Sequence, residues 1–169
     1  MVLAAEGSIS LVEEHCRNLL ANLAAFRTWA EAADVAAAEA LIHTDEVPSS
    51  QSMPWCLIYL DSEGEGYAAE IAAGGHEFVF DEDGRIHILL QRVVPGAYAN
   101  SVQDAERDLK NHVGKMIDEI KELTGTGDSC EPLTVTRIRM FGPWRFDEDM
   151  EETALGKIQA VGLLLDWGM

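Results

Sequence analysis

The sequence predicts an α+β fold: a mostly antiparallel sheet of about five strands with helices packed on one face. Apolar residues recur at helical spacing early in the chain and again from Val102 to Leu123. Between and after these stretches the apolar period falls to two or becomes a short continuous run. Strands and helices do not alternate, which argues against a doubly wound parallel sheet. A length of 169 residues fits one domain, spanning 1–169, with residues 1–9 and 147–153 expected to be flexible.

The first element is a helix. Ser10 followed three residues later by Glu13 reads as a capping box, and Val12, Cys16, Leu19, Leu20 and Leu23 trace an apolar stripe behind it. The helix is expected over Leu11–Leu23, with Phe26 and Trp29 packing just beyond. A second, Ala-rich helix is expected from Asp34 or Val35 to His43, with Asp34 as its cap. Thr44–Pro54 reads as a loop.

Trp55–Leu60 is a short apolar run bounded by Pro54 and an Asp/Gly turn cluster, the pattern of a buried strand. Tyr67–Ala73 alternates and is taken as a strand. Glu77–Phe80, a tight turn at Asp81–Gly84 and a strand from Arg85 to about Val94 form an expected hairpin. Phe78, Phe80, Ile86, Ile88 and Leu90 would share one of its faces. The long helix follows, with Ser101 as N-cap, Asp104 at its third position and Gly125 just past its end. Gly127 and Pro132 mark the next loop. Leu133–Met140 and Lys157–Trp167 are the last strands, joined through an acidic loop at Asp147–Glu152.

Composition narrows the functional classes. Thirty Asp and Glu against twelve Lys and Arg give a formal charge of −18. Such a surface repels nucleic acid and anionic membranes at long range, so neither is an expected partner. Acidity of this kind serves solubility, or faces a basic partner, or lines a path that DNA passes without sticking. Cys16, Cys56 and Cys130 are widely spaced and form no C-x-x-C pair, so they read as free thiols suited to a reducing cytoplasm. Residues 1–10 lack the pattern of a signal peptide, and no apolar run approaches the ~20 residues of a membrane span.

Motifs for chemistry are missing from the sequence. It contains no G-x-S-x-G, Walker loop, G-x-G-x-x-G or H-E-x-x-H. Asp81-Glu82-Asp83-Gly84 opens like a calcium loop, but Arg92 stands where the closing Glu belongs, so a turn explains it better. Asp147–Asp149 with Glu151 and Glu152 reads as a solvated loop rather than an ion site. His15, His43, His76, His87 and His112 include no pair at helical or strand ligand spacing, although His87 and His112 sit on elements that can meet in space. No catalytic, cofactor-binding or metal-binding residue is assigned, and the chain is expected not to be an enzyme.

Leu163-Leu164-Leu165 gives the last strand two apolar faces, so it lies centrally in the sheet or under a partner. Phe141, Trp144, Arg145, Phe146 and Trp167 are candidate anchors of an interface, because aromatic and Arg side chains dominate such contacts.

The arrangement resembles the tail-terminator (tail-completion) and neck proteins of long-tailed bacteriophages and prophages. The matching residues are Cys16, Leu19, Leu20, Phe26 and Trp29 in the opening helix, then Leu41-Ile42-His43, the hairpin, the helix Val102–Leu123, Leu133–Met140, and the closing strand with Asp166-Trp167-Gly168. The resemblance implies a hexameric ring that caps the tail tube and joins it to the head. Its partners would be further copies of itself, tail-tube proteins and head-connector proteins, with no cofactor. Its place would be the host cytoplasm during assembly and the virion neck afterwards. Two other classes stand beside it: an acidic module that masks a basic partner, and a hydrolase using scattered carboxylates with His87 or His112.

Overall fold

The structure, a computed structural model, describes residues 8–44, 46–60, 68–72, 79–98, 100–126, 134–144 and 157–168. The expected flexible segment at 147–153, its acidic loop, and residues 1–7 lie outside the described residues.

Helix α1 runs Ser8–Asn22. Ser8 and Ile9 are therefore helical, and Ser10 lies inside the first turn rather than at the N-cap. A serine inside a helix costs only about 0.5 kcal/mol relative to alanine, too little to halt the winding. Val12, Cys16, Leu19, Leu20 and Leu23 are at most 4% exposed. Helix α2 (Ala24–Ala30) carries Phe26 and Trp29 within it, their ring centroids 5.6 Å apart.

The junction between α1 and α2 is held by side chains from elsewhere. Arg27 Nη1 donates to the carbonyls of Ala21 and Asn22 at 3.0 and 2.8 Å, satisfying the open end of α1. Leu23 gives α2 no side-chain cap, and Glu119 Oε1, far along the chain, accepts from Ala25 N at 2.9 Å instead. A carboxylate there also meets the positive end of the helix. Glu31, with φ 54°, closes α2 in the left-handed conformation.

Helix α3 (Val35–Glu39) starts at the expected cap, where Asp34 accepts from Ala37 N at 2.8 Å. It stops short of His43. Ile42–Thr44 instead form strand β1, parallel to β2 (Trp55–Leu60) in the register Ile42–Cys56 and Thr44–Ile58. Ile42 and Thr44 are β-branched, and Ile42 gains a buried site 3% exposed in the sheet.

The remaining strands are β3 (Ala68–Ala72), β4 (Val79–Val93), β5 (Thr134–Trp144) and β6 (Ile158–Gly168). The sheet order is β1-β2-β4-β6-β5, antiparallel except for β1–β2, with β3 also paired to β4. Asp83 pairs with Ala68 on one side and Gly168 on the other, so β3 continues the lane of β2 along β4. The sheet is thus mostly antiparallel, and the α+β expectation holds.

One turn was misplaced by composition. Asp81–Gly84 lies inside the continuous strand β4, laddered to Glu70, Ala69 and Ala68. β3 pairs with Asp81, Glu82 and Asp83, and β6 pairs with Asp83 and Gly84, and this pairing keeps the acidic run extended. The connection from β3 to β4 is 73–78, which, with Phe78, lies outside the described residues.

The helix-facing side of the sheet is built from cross-strand rows. Leu60, Ile86, Leu165 and Ile138 are successive partners, as are Ile58, Ile88, Leu163 and Met140, and Cys56, Leu90 and Val161. Ile86, Ile88, Leu90, Val161, Leu163, Leu165 and Trp167 are at most 1% exposed. A register shift between Val135 and Arg137 interrupts the two-residue alternation along β5, so Val135 and Ile138 both pack on the core.

Helix α4 (Val102–Thr126) closes the layer. Ser101 Oγ accepts from Asp104 N at 3.3 Å and donates to its Oδ2 at 2.7 Å, the cap that the sequence foretold. Ala105, Leu109, Val113, Met116 and Ile120 are buried, while Val102 is 54% exposed at the helix start. The helix continues through Gly125 to Thr126. Among the described residues, no helix is long and apolar enough to cross a membrane.

A polar group is buried between α4 and the sheet. Arg92, 8% exposed, donates from Nη2 to Asp108 Oδ2 at 2.5 Å. With its carboxamide oxygen facing the guanidinium, Gln159 accepts from Arg92 Nη2 at 2.8 Å and from Nε at 2.6 Å. His112 Nε2 lies 3.7 Å from Asp108 Oδ1. Burial lowers the His112 pKa; Asp108 opposes that shift, and Arg92 and Lys115 reinforce it.

Asp108→Ala is expected to cost about 3 kcal/mol in a denaturant titration, because it strands a buried guanidinium. Adding Arg92→Met should recover most of that loss, and a double variant no better than the single one would contradict the pairing. Burial, with Glu13 adding to it, pushes the Cys16 thiol up to about 12, and burial raises Cys56 well above the usual thiol range. In a Cys130→Ser variant both thiols should therefore resist iodoacetamide at pH 8 until denaturant is added. Fast native labelling of either would place it outside the core.

Candidate interaction face

The other side of the sheet carries the alternate residues of the same strands. Tyr59 and His87, register partners on β2 and β4, stack with centroids 4.9 Å apart and planes 10° from parallel. Gly162 sits between Leu89 and Phe141 in the register and contributes no side chain. The gap leaves a depression of about 240 Å³ lined by Tyr59, His87, Ile88, Leu89, Phe141, Gly162 and Leu163. Its rim is exposed, Tyr59 at 36% and Phe141 at 45%; Met140, 40% exposed, adjoins Phe141 on β5 but has the helix-facing parity.

Beside the depression is an ion-pair cluster. Asp166 Oδ1 accepts from Arg85 Nε at 2.8 Å, and its two oxygens lie 3.2 and 3.3 Å from Arg139 Nη2. Thr136 Oγ1 donates to the Asp166 carbonyl at 3.1 Å. Burial pushes the Asp166 carboxyl up, but the Arg85 hydrogen bond and the Arg139 and Arg85 charges together hold it below its ordinary value. These side chains are 23–31% exposed, so the cluster fixes geometry and contributes about 1 kcal/mol or less.

The depression is smaller than the roughly 300–1,000 Å³ of small-molecule pockets. It is apolar with an aromatic rim, a shape that accepts a protruding side chain. Its polar groups are a stacked imidazole and a phenol, with no arrangement of nucleophile, base and orienting group. Among the described residues, no three His, Cys, Asp or Glu side chains converge for a metal. His87 and His112 do not meet. His87 is on this face, while Arg92, which binds Asp108 beside His112, has the opposite parity on β4.

The expected interface residues separate. Phe141 is exposed on the rim. Trp144 ends β5, where Gly142, with φ 90°, sits in the register shift between Phe141 and Trp144. That backbone conformation suits glycine at a bulge. Trp167 is 1% exposed, so this expected anchor belongs to the core. It occupies the helix-facing parity of β6 together with Leu163 and Leu165. Arg145 and Phe146 lie outside the described residues. Sequence reading weighed His87 only beside His112 and missed Tyr59, because the meeting of Tyr59 with His87 depends on the register of β2 against β4. It also missed the Arg85–Asp166–Arg139 cluster, whose only sequence signal is Asp166 at the end of an apolar strand.

Asp166→Asn should lower the melting temperature at pH 7. The native carboxyl is held below its unfolded value, so its contribution is present above that unfolded value and lost as pH falls through the native one. The gap between wild type and variant should thus narrow as pH falls from about 4 toward 2. A constant gap across that range would exclude the ion pair as its cause.

No family model matches this chain, and no curated protein matches it.

Proposed function

We propose that the chain is a structural assembly protein of a long-tailed phage or prophage. On this reading it caps the tail tube as an oligomeric ring, hexameric in the family it resembles, and joins the tube to the head. Its partners are other copies of itself, tail-tube proteins and head-connector proteins. It acts without a cofactor or active site, in the host cytoplasm during assembly and then in the virion neck. The observation that carries the reading is the exposed aromatic rim of Tyr59 and Phe141 on an acidic protein. Such a rim anchors protein contacts, whereas the charge lets DNA pass without adhering.

The order of elements agrees with the resemblance: helices, paired strands, a long amphipathic helix and two closing strands. An acidic module that masks a basic partner would draw on the same charge, and it would not act on tail tubes.

The test is electron microscopy of tail tubes polymerised with and without the protein. Tubes should stop at a defined length and carry end density when it is present, and overgrow when it is absent. Unchanged tube lengths together with bare ends would defeat the assignment. Binding to a basic toxin or nuclease in that circumstance would favour the masking module.

A further inference from the structure

Charge is segregated along this chain. The sequence has no Lys or Arg between Thr28 and Gly84, and no Asp or Glu between Pro132 and Phe146. Topology converts this segregation along the chain into one across the sheet. β1, β2 and β3 come from the base-free stretch and occupy one side of the sheet, ending at β1. β5 comes from the acid-free stretch and is the opposite margin.

The surfaces of the two margins follow the same division. Around α3 and β1, Glu31, Asp34 and Glu46 are exposed and Glu39 is half-buried. Arg17 donates to the Glu39 carbonyl at 3.1 Å, and Arg27, four residues before Glu31, is spent on the carbonyls of Ala21 and Asn22. On β5, Thr136, Arg137, Met140 and Phe141 are exposed, and Arg139 is engaged with Asp166.

We infer that the β5 margin of one copy docks on the acidic α3–β1 margin of a second copy, in head-to-tail order. This deepens the assembly reading and rests on it. A two-fold contact of β5 with itself would gather both copies of Arg137 in one interface, and a contact of the acidic margins would set carboxylates together. Only the unlike pairing brings opposite charges into register, with Met140 and Phe141 supplying apolar area beside them. A contact between unlike surfaces leaves a pair of copies with one free margin of each kind, so it propagates, and on the assembly reading the rotation between copies closes it as a ring. In a chain of charge −18, such a contact must also overcome general repulsion. Charge local to the margin supplies the attraction and sets the orientation.

The experiment uses two full-length variants with wild-type circular dichroism and melting temperature. One is Arg137→Glu with Met140→Glu, which reverses the β5 margin. The other is Glu31→Lys with Glu46→Lys, which reverses the acidic margin. Self-association is measured by light scattering after size exclusion, and end density is scored on tail tubes. Each variant alone should associate at least about tenfold more weakly than wild type, and an equimolar mixture should regain assembly by alternating around the ring. Wild-type assembly should weaken with added salt.

If either variant assembles alone as wild type does, or the mixture gains nothing, the docking is overturned while tube capping can still stand. Tubes left uncapped by a wild type that does self-associate would remove the tail assignment and leave the docking intact. A wild type that stays monomeric both in solution and on tubes would remove both.

Discussion

The ladder between β4 and β6 is the contact on which the molecule depends. It runs from Asp83–Gly168 to Val93–Ile158, joining the last strand of the chain to its middle. Among the described residues, β5 reaches the sheet only through β6, and β2 and β3 only through β4. Every apolar row on the helix-facing side crosses this seam. Each fully buried Ile or Leu there contributes about 1.5–3 kcal/mol, which offsets the loop-closure entropy of so distant a pairing. The seam reaches the acidic run at Asp83 and Gly84, and β3 holds Asp81 and Glu82 extended where a turn would otherwise be favoured.

The helical layer is fitted to that seam by contacts that no single helix encodes. α2 is short and lacks a side-chain cap of its own, and Glu119 of α4 supplies one across the interior. Arg27 closes the end of α1 from within α2. The apolar stripes thus decide which faces turn inward, and these polar contacts decide where the helices begin, end and lie against each other. Arg92 extends the same logic into the sheet, tying β4 and β6 to α4 through Asp108 and Gln159.

The two faces of β6 explain the division of labour in the fold. Leu163, Leu165 and Trp167 fill the core, while Gly162 and Leu164 belong to the opposite face. Leu164 is only 3% exposed, between His87 and Arg139 in the register. A strand with two apolar faces therefore sits inside the sheet, and its second face becomes the floor of the aromatic-rimmed depression. Asp166, at the polar end of that face, organises two arginines that otherwise repel.

Local sequence signals by themselves determined the helices around Cys16–Leu23 and Val102–Leu123, the caps at Asp34 and Ser101, the strand at Trp55–Leu60 and the two apolar faces of the last strand. These are local signals, since a helix stripe, a cap or a two-faced apolar run is written within a few neighbouring residues. Tertiary structure alone decided that Ile42–Thr44 are a strand, that Asp81–Gly84 are not a turn, that β5 slips register after Val135 and that Trp167 is buried. Each of these depends on a partner far away in the chain, where pairing energy outweighs local propensity. The candidate face follows the same division: Phe141 was legible as an exposed aromatic, but the stacking of Tyr59 on His87 and the opposed charge of the two margins exist only because the topology orders the strands as it does.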